Sequence, residues 1–174
     1  YQQAMDTMHH AMVVPRSGDA DVDFVRQMIP HHQAALDMAK TVFAHGHNPA
    51  LRDFSEWVIT AQTQEIMLMQ QWLRRRDNGA APAGAADYYG PAMETMHAGM
   101  MIDYTGDADV DFARGMIAHH QGAVDMAGVL LANGTDPELS ELARNIQRGQ
   151  SYEIAWLQHW LARRGDVSFP SFNP

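Results

Sequence analysis

Two pairs of adjacent histidines are the residues of this chain best suited to chemistry. The pairs are His31-His32 and His119-His120, and the second pair lies 88 positions after the first. One methionine precedes and another follows each pair at helical spacing. These methionines are Met28, Met38, Met116 and Met126. Imidazole nitrogen and thioether sulfur both bind transition metals, and sulfur favours soft ions such as Cu(I). The pattern predicts a metal site, and its alternative is a core histidine that hydrogen-bonds a glutamate across the helix interface.

Each half of the chain also carries a cluster of three methionines and one histidine on one face of a short helix. The clusters are Met5, Met8, His9 and Met12 in the first half, and Met93, Met96, His97 and Met100 in the second. Thioether donors suit Cu(I) or Ag(I). A methionine stripe at helical spacing is also an adaptable packing surface, so a binding role and a packing role both remain open.

One glutamate in each half, Glu65 and Glu153, lies in the middle of an otherwise apolar helix stripe. A buried carboxylate is costly unless it is paired, protonated or bound to a cation. It could bind a metal directly, orient a histidine that binds one, or pair with a histidine in the absence of metal. We favour the orienting role.

All these residues belong to an internal duplication that needs no insertion. The stretch 18–24 reappears as 106–112, and the same register extends over nearly the whole chain. We predict a first repeat over 1–78, a linker over 79–88 and a second repeat over 89–174. Because a lone repeat would bury only a thin core, we expect both repeats to form one bundle.

Apolar periodicity predicts a short helix followed by two long helices in each repeat. In the first repeat, aspartates from Asp19 onward suit the start of the second helix, Gly46 suits its end, and Asn48-Pro49 suits the start of the third. Four long amphipathic helices favour an all-α four-helix bundle built from two tandem helical hairpins. A short Met/His-rich helix precedes each hairpin.

The composition excludes several classes of function. The net charge is −9 and the basic residues form no run beyond 74–76, so we expect no nucleic-acid partner. No apolar run is long enough to span a membrane. The chain has 13 methionines, 10 histidines and no cysteine, a donor set that does not cross-link under oxidising conditions. We therefore expect a periplasmic or secreted protein, and the start at Tyr1 fits a removed signal peptide as well as a shortened chain.

The sequence resembles a bacterial family known as domain of unknown function 305 (DUF 305), which includes copper-resistance proteins of the CopM type. The resemblance rests on DVDF at 21–24, MIPHHQAA at 28–35 and DMA at 37–39, with their counterparts in the second repeat. It implies a ferritin-like helical bundle, a secreted or periplasmic location, and copper binding and tolerance. It assigns the two histidine pairs and their four flanking methionines to the family's histidine-methionine segment, and Glu65 and Glu153 to its acidic position. Ala118 stands where the first repeat has Pro30, so the two copies need not bind metal identically.

We therefore expect a non-catalytic protein that sequesters or carries copper in metal tolerance. Cu(I) is the favoured ion, and Ag(I) and Cu(II) are the alternatives. The expected partners are metal ions and a copper exporter or another periplasmic copper carrier. Two alternatives remain. One is a ferritin-like di-metal oxidase, although such centres use Glu-x-x-His motifs and the chain has only one inward glutamate per repeat. The other is a structural helical module without metal.

Overall fold

The structure is a computed structural model that describes residues 7–8, 10–76 and 84–163. Five helices are described over their whole length: α1 (Ala20–His45), α2 (Pro49–Arg74), α3 (Gly90–Met100), α4 (Ala108–Asn133) and α5 (Pro137–Arg163). Residues 7–8 and 10–12 are also helical, and the described ranges contain no strand. The all-α prediction, with two tandem helical hairpins and a short helix before each, is confirmed. Much of the predicted linker, at 79–83, lies outside the described residues.

The long helices begin where the sequence predicts, because side chains satisfy their first backbone N–H groups. The Asp19 carboxylate accepts hydrogen bonds from the N–H groups of Asp21 and Val22, and Asp107 does the same at the start of α4. The Asn48 side chain accepts from the N–H of Leu51 at the start of α2. Such caps satisfy N–H groups that have no partner within the helix.

The two repeats also cap each other, through a contact that the sequence does not reveal. Asp109 Oδ2 accepts from the backbone N–H groups of residues 47–48, at 2.9 and 3.0 Å. Its counterpart Asp21 accepts through Oδ2 from the N–H groups of residues 135–136, at 2.9 and 3.2 Å. Each carboxylate therefore closes the turn of the opposite repeat's helical hairpin.

Gly46 and Gly134 end α1 and α4 as predicted, but their backbone does not require glycine. Their φ angles are −80° and −76°, which any residue can adopt. A Cβ atom on Gly46 would lie 2.5 Å from Asp109 Oδ1, and one on Gly134 would lie 2.6 Å from Asp21 Oδ1. The glycines are needed because the capping aspartate of the other repeat and a carbonyl oxygen of the preceding helix, that of Val42 or Leu130 at 2.8 Å, both approach so closely.

Removal of one of these caps should destabilise the protein measurably. We expect Asp21→Ala to lower the free energy of unfolding by about 1 to 3 kcal/mol, because partly buried N–H groups lose a charged acceptor. Urea denaturation followed by far-UV circular dichroism measures this change. Asp53→Ala, at an exposed position of α2, is the matched control and should change stability little. Equal stability of the two variants would show that the reciprocal caps contribute nothing.

The four long helices pack so that the histidine-bearing helices meet at the centre. α1 packs against α2 and against α4, α4 packs against α5, and α3 lies on α4. The buried apolar residues form two clusters, one containing Met28 and Met126 and the other containing Met38 and Met116. The short helices contribute Met8, Met12, Met96 and Met100 to the first cluster. None of the helices within the described ranges has an apolar stretch long enough to cross a membrane.

Candidate metal centre

His31 and His119 lie against each other where α1 crosses α4. Both are fully buried, and their ring centroids are 3.7 Å apart. His31 Nε2 lies 3.1 Å from the His119 carbonyl oxygen, and His119 Nε2 lies 2.9 Å from the His31 carbonyl oxygen. Because a carbonyl oxygen only accepts, each Nε2 must carry hydrogen and donate. The two inner histidines thus hold the repeats together by a reciprocal pair of hydrogen bonds.

Burial keeps the two inner histidines neutral. It lowers the pKa of both His31 and His119 well below 6.5, since an imidazolium ion would lose its hydration. The neighbouring histidines push in the same direction, because a second positive charge at this crossing would be repelled. The Nδ1 atoms of both residues are buried without a hydrogen-bond partner among the described residues.

These pKa shifts predict a loss of stability in mild acid. In the folded metal-free protein His31 and His119 remain neutral, whereas in the unfolded chain each binds a proton below about pH 6.5. The free energy of unfolding should be highest above that pH and should fall as the pH drops, by up to about 1.4 kcal/mol per pH unit for each histidine. Urea denaturation at pH 7.5, 6.5, 5.5 and 5.0 measures the slope.

Single variants distinguish the contribution of His31 and His119 to this pH dependence from that of the other histidines. His119→Gln keeps an N–H donor for the His31 carbonyl and removes one titrating group, so it should reduce the slope by roughly half. His159→Gln, at an exposed position, should leave the slope unchanged. A free energy of unfolding that stays flat between pH 7.5 and 5.0 would contradict the account of the inner pair.

His32 and His120, the outer histidines, each face a glutamate on the second helix of their own hairpin. His32 Nε2 is 2.6 Å from Glu65 Oε2 and hydrogen-bonded to it. His120 Nε2 is also 2.6 Å from Glu153 Oε2, but without the alignment of a hydrogen bond. The remaining nitrogen, Nδ1, is buried and unpartnered in both outer histidines within the described part of the chain. An imidazole whose other nitrogen contacts a carboxylate is the usual arrangement of a metal-binding histidine.

The two outer pairs are not equivalent, and the difference comes from a residue that the sequence analysis did not single out. Trp57 Nε1 donates to Glu153 Oε1 at 2.8 Å and so fixes the carboxylate of the other repeat. Asn145 occupies the corresponding position of the second repeat. The signal was present in the sequence, since a tryptophan on the glutamate-bearing helix has no counterpart in the other copy.

The structure separates the methionines that flank the histidine pairs. Met28 and Met126 pack in one apolar cluster and Met38 and Met116 in the other, and all four are fully buried. Among the residues that the structure describes, no three His, Asp or Glu side chains are grouped so as to hold one ion. The described part of the bundle interior therefore holds no assembled set of three such ligands, and the donors without a partner there include the Nδ1 atoms of the four histidines.

The amino-terminal Met-His clusters divide into a buried part and a part that lines a cavity. Met12, Met93 and His97 border one open cavity of about 300 Å³. Met8, Met96 and Met100 are buried in the first apolar cluster, and the predicted ligands Met5 and His9 lie outside the described residues. The structure thus brings donors from the two repeats to a single cavity, which the spacing within each repeat did not predict.

A family model described as "Domain of unknown function (DUF305)" matches residues 21–108 and 109–171, one copy in each repeat. The chain belongs to this family. None of the curated proteins compared with it matches.

Solved structures similar to this DUF305 protein include several forms of CopM. The silver-soaked form of CopM is 33% identical over 82% of this chain and 95% of CopM, with a TM-score of 0.65. Its Cu(II)-bound form is 32% identical over 82% of this chain and 96% of CopM, with a TM-score of 0.66. A DUF305 fragment from Deinococcus radiodurans is 29% identical, covers 86% of this chain and 99% of the fragment, and has a TM-score of 0.65. The fold of this chain is therefore similar to that of CopM, which was solved in copper-bound and silver-bound forms.

Proposed function

We propose that this DUF305 protein is a non-catalytic, periplasmic or secreted protein that binds Cu(I) and sequesters or carries it in metal tolerance. The observation that carries the proposal is the cavity bordered by Met12, Met93 and His97. It gathers two thioethers and one imidazole from both repeats at a place that opens to solvent. This donor set selects soft monovalent ions, so Ag(I) should bind there as well.

The environment of this cavity suits a site that exchanges its ion. His97 is exposed while Met12 is almost fully buried, so an ion would be held between a solvent-facing and an inward-facing donor. Asp87, which forms an ion pair with Arg16, and Glu94 also border the cavity. Nearby carboxylates favour the approach of a cation. An open site of this kind would let a copper exporter or another periplasmic carrier take the ion by direct transfer.

The outer histidines provide a second candidate site. His32 and His120 each have a nitrogen with no hydrogen-bond partner among the described residues, while Glu65 and Glu153 contact the other nitrogen. Glu65 and Glu153 would orient the rings, and the free Nδ1 lone pairs would bind copper as Cu(I) or Cu(II). The inner pair His31 and His119 would hold the two helices in place through their reciprocal hydrogen bonds.

Comparison with CopM supports copper as the ion. CopM was solved in Cu(I)-bound, Cu(II)-bound and Ag-bound forms, at 32 to 33% identity to this chain. A candidate secreted DUF305 protein from Streptomyces coelicolor, 24% identical over 89% of this chain and 99% of that protein with a TM-score of 0.66, shares the fold. A di-metal oxidase would need more carboxylates than the single inward glutamate of each repeat.

Replacement of the cavity methionines tests the proposal. Met12→Leu combined with Met93→Leu keeps a similar apolar volume but removes both sulfur donors. We expect the Cu(I) affinity of this site to fall by at least about tenfold, which corresponds to a loss of about 1.4 kcal/mol or more of binding free energy. Anaerobic titration against a chromophoric Cu(I) chelator measures it.

A third methionine provides the matched control. Met69→Leu replaces a fully buried methionine of α2 that does not border the cavity, so it should leave Cu(I) binding unchanged. If the double variant and the Met69 variant bind Cu(I) equally well, the cavity methionines serve packing alone.

A further inference from the structure

A second open cavity of about 450 Å³ lies between α2 and α5, the two helices that carry the glutamates. Its lining includes Gln62 and Glu65 from the first repeat and their counterparts Gln150 and Glu153 from the second. Trp57 and Tyr152 add aromatic surface to its wall. Its volume is within the range of about 300 to 1,000 Å³ that is common for small-molecule sites.

The two glutamines are the observation that points to a ligand. Gln62 is 2% exposed and Gln150 is 4% exposed, so both amides have left bulk water. The oxygen and the nitrogen of each amide have no hydrogen-bond partner among the described residues. A buried polar group without a partner costs about 1 to 3 kcal/mol. Both glutamines border the cavity, and their two amide oxygens are acceptors without a donor in the described part of the chain, which suits a molecule that donates hydrogen bonds.

The charges around the cavity favour a cation. Glu65 and Glu153 both border it, and Trp57 and His120 leave Glu153 almost completely enclosed. Arg148 also borders the cavity, but its guanidinium donates to Asn145 Oδ1 at 2.5 Å on the exposed face of α5. The inner part of the cavity is therefore acidic. The aromatic faces of Trp57 and Tyr152 are a further attraction for an organic cation.

The correspondence between the two repeats indicates which class of ligand the cavity would fit. Each repeat contributes one carboxylate and one carboxamide, since Gln62 and Glu65 correspond to Gln150 and Glu153. We infer that the cavity binds a small organic diamine, with one ammonium group received by the glutamine and glutamate of each repeat. An ammonium group donates three hydrogen bonds, which suits the carboxylate and carboxamide oxygens that each end would meet. A single metal ion suits the cavity less, because it would fill only a small part of this volume.

Solution NMR of the whole metal-free protein, labelled with ¹⁵N, tests this inference. The probe is 1,4-diaminobutane, and the neutral control of the same length is 1,4-butanediol. We expect the diamine to give saturable shifts of the Gln62 and Gln150 side-chain amides and of the Trp57 indole N–H. The diol should give no saturable shift, because it lacks the charge that Glu65 and Glu153 attract.

Gly149 allows the cavity to be blocked without a change in any polar group. This glycine lines the cavity, corresponds to Ala61 in the first repeat, and would meet no atom within 4 Å of an added Cβ. Gly149→Leu should weaken diamine binding by about tenfold or more because its side chain occupies the cavity. Gly149→Ala is the matched control and should bind nearly as well as the natural chain. Both variants should fold, since alanine and leucine favour a helix over glycine.

Four results would overturn the inference. The first three are an absence of saturable diamine shifts, equal shifts with the diol, and full binding by the Gly149→Leu variant. The fourth is equal shifts with Mg²⁺ alone, because they would identify a site for a hard cation instead. The inference is independent of copper binding at the cavity of Met12, Met93 and His97. Gly149→Leu should therefore leave Cu(I) capacity at that cavity unchanged.

Discussion

Residues 1–78, expressed without the second repeat, are expected to give a dimer or a poorly folded chain instead of a stable monomer. In the whole protein the inner face of α1 is covered by α4, and His31 donates to the carbonyl of His119. Asp21 likewise accepts from N–H groups that belong to the other hairpin. A lone repeat would expose this apolar face and leave buried polar atoms without partners, which costs more than a domain of this size can spare.

Size-exclusion chromatography with light scattering, followed by thermal unfolding, measures this result. Because the two repeats correspond at an offset of 88 positions, a second copy of the fragment can occupy the place of the missing half. Any folded material should therefore be a homodimer whose melting temperature rises with concentration. The whole chain is the control and should melt once, independently of concentration. A fragment that melts cooperatively as a monomer would contradict the proposal that both repeats form one bundle.

The second large effect concerns the outer histidines. We expect His32→Gln combined with His120→Gln to remove most of the pH-dependent part of copper binding. Protons compete with the metal for an imidazole nitrogen, so binding by these residues should weaken as the solution becomes more acidic. Thioether sites have no such proton and should be much less sensitive. Glutamine keeps an N–H donor for Glu65 and Glu153 but is a poor copper ligand.

Copper titrations of the natural chain and of this variant at pH 5.5 and 7.5 measure the difference. The natural chain should bind more at pH 7.5 than at pH 5.5, and the variant should lose most of this difference, with the remainder contributed by His97 of the cavity. Glu65→Gln is a further test of the role of the carboxylate. If the carboxylate only orients the ring, this variant should weaken the pH-dependent binding less than loss of the histidines does. If the histidine variant keeps the full pH dependence, His32 and His120 are structural partners of their glutamates.

The helices and their starting residues could be predicted because their signals are local. Asp19 and Asn48 cap helices through N–H groups two or three positions away, and apolar periodicity defines the faces that are buried. Pro30 is a partial exception to the local rules, since α1 continues through it to His45. The packing of α1 on the rest of the bundle outweighs the lost backbone hydrogen bond at that position.

The contacts between the repeats could not be predicted, because they depend on where the two hairpins cross. Asp21 and Asp109 looked like residues of a helix's first turn, and only the crossing shows that each caps the opposite hairpin. His31 and His119 looked like metal ligands on the same grounds as His32 and His120. The sequence holds no sign that the first pair contacts backbone carbonyl groups while the second contacts carboxylates.

The methionine clusters illustrate the same limit. Helical spacing placed the methionines and the histidine of each cluster on a single face, but the second short helix lies so close to α4 that its Met96 packs on Gly122. Met8, Met96 and Met100 are buried, and of the cluster residues that the structure describes, Met12, Met93 and His97 border the cavity. Spacing within one repeat cannot show which donors of different repeats come together.

An anaerobic competition titration of the metal-free protein with Cu(I), against a chelator that reports its own copper complex by absorbance, tests the central claim most directly. We expect the protein to remove at least one equivalent of Cu(I) from the chelator at pH 7.5 and to retain part of this copper at pH 5.5 through its thioether donors. If the chelator keeps all of the Cu(I) at both pH values, the protein is not a copper-binding protein and its histidines and methionines serve packing.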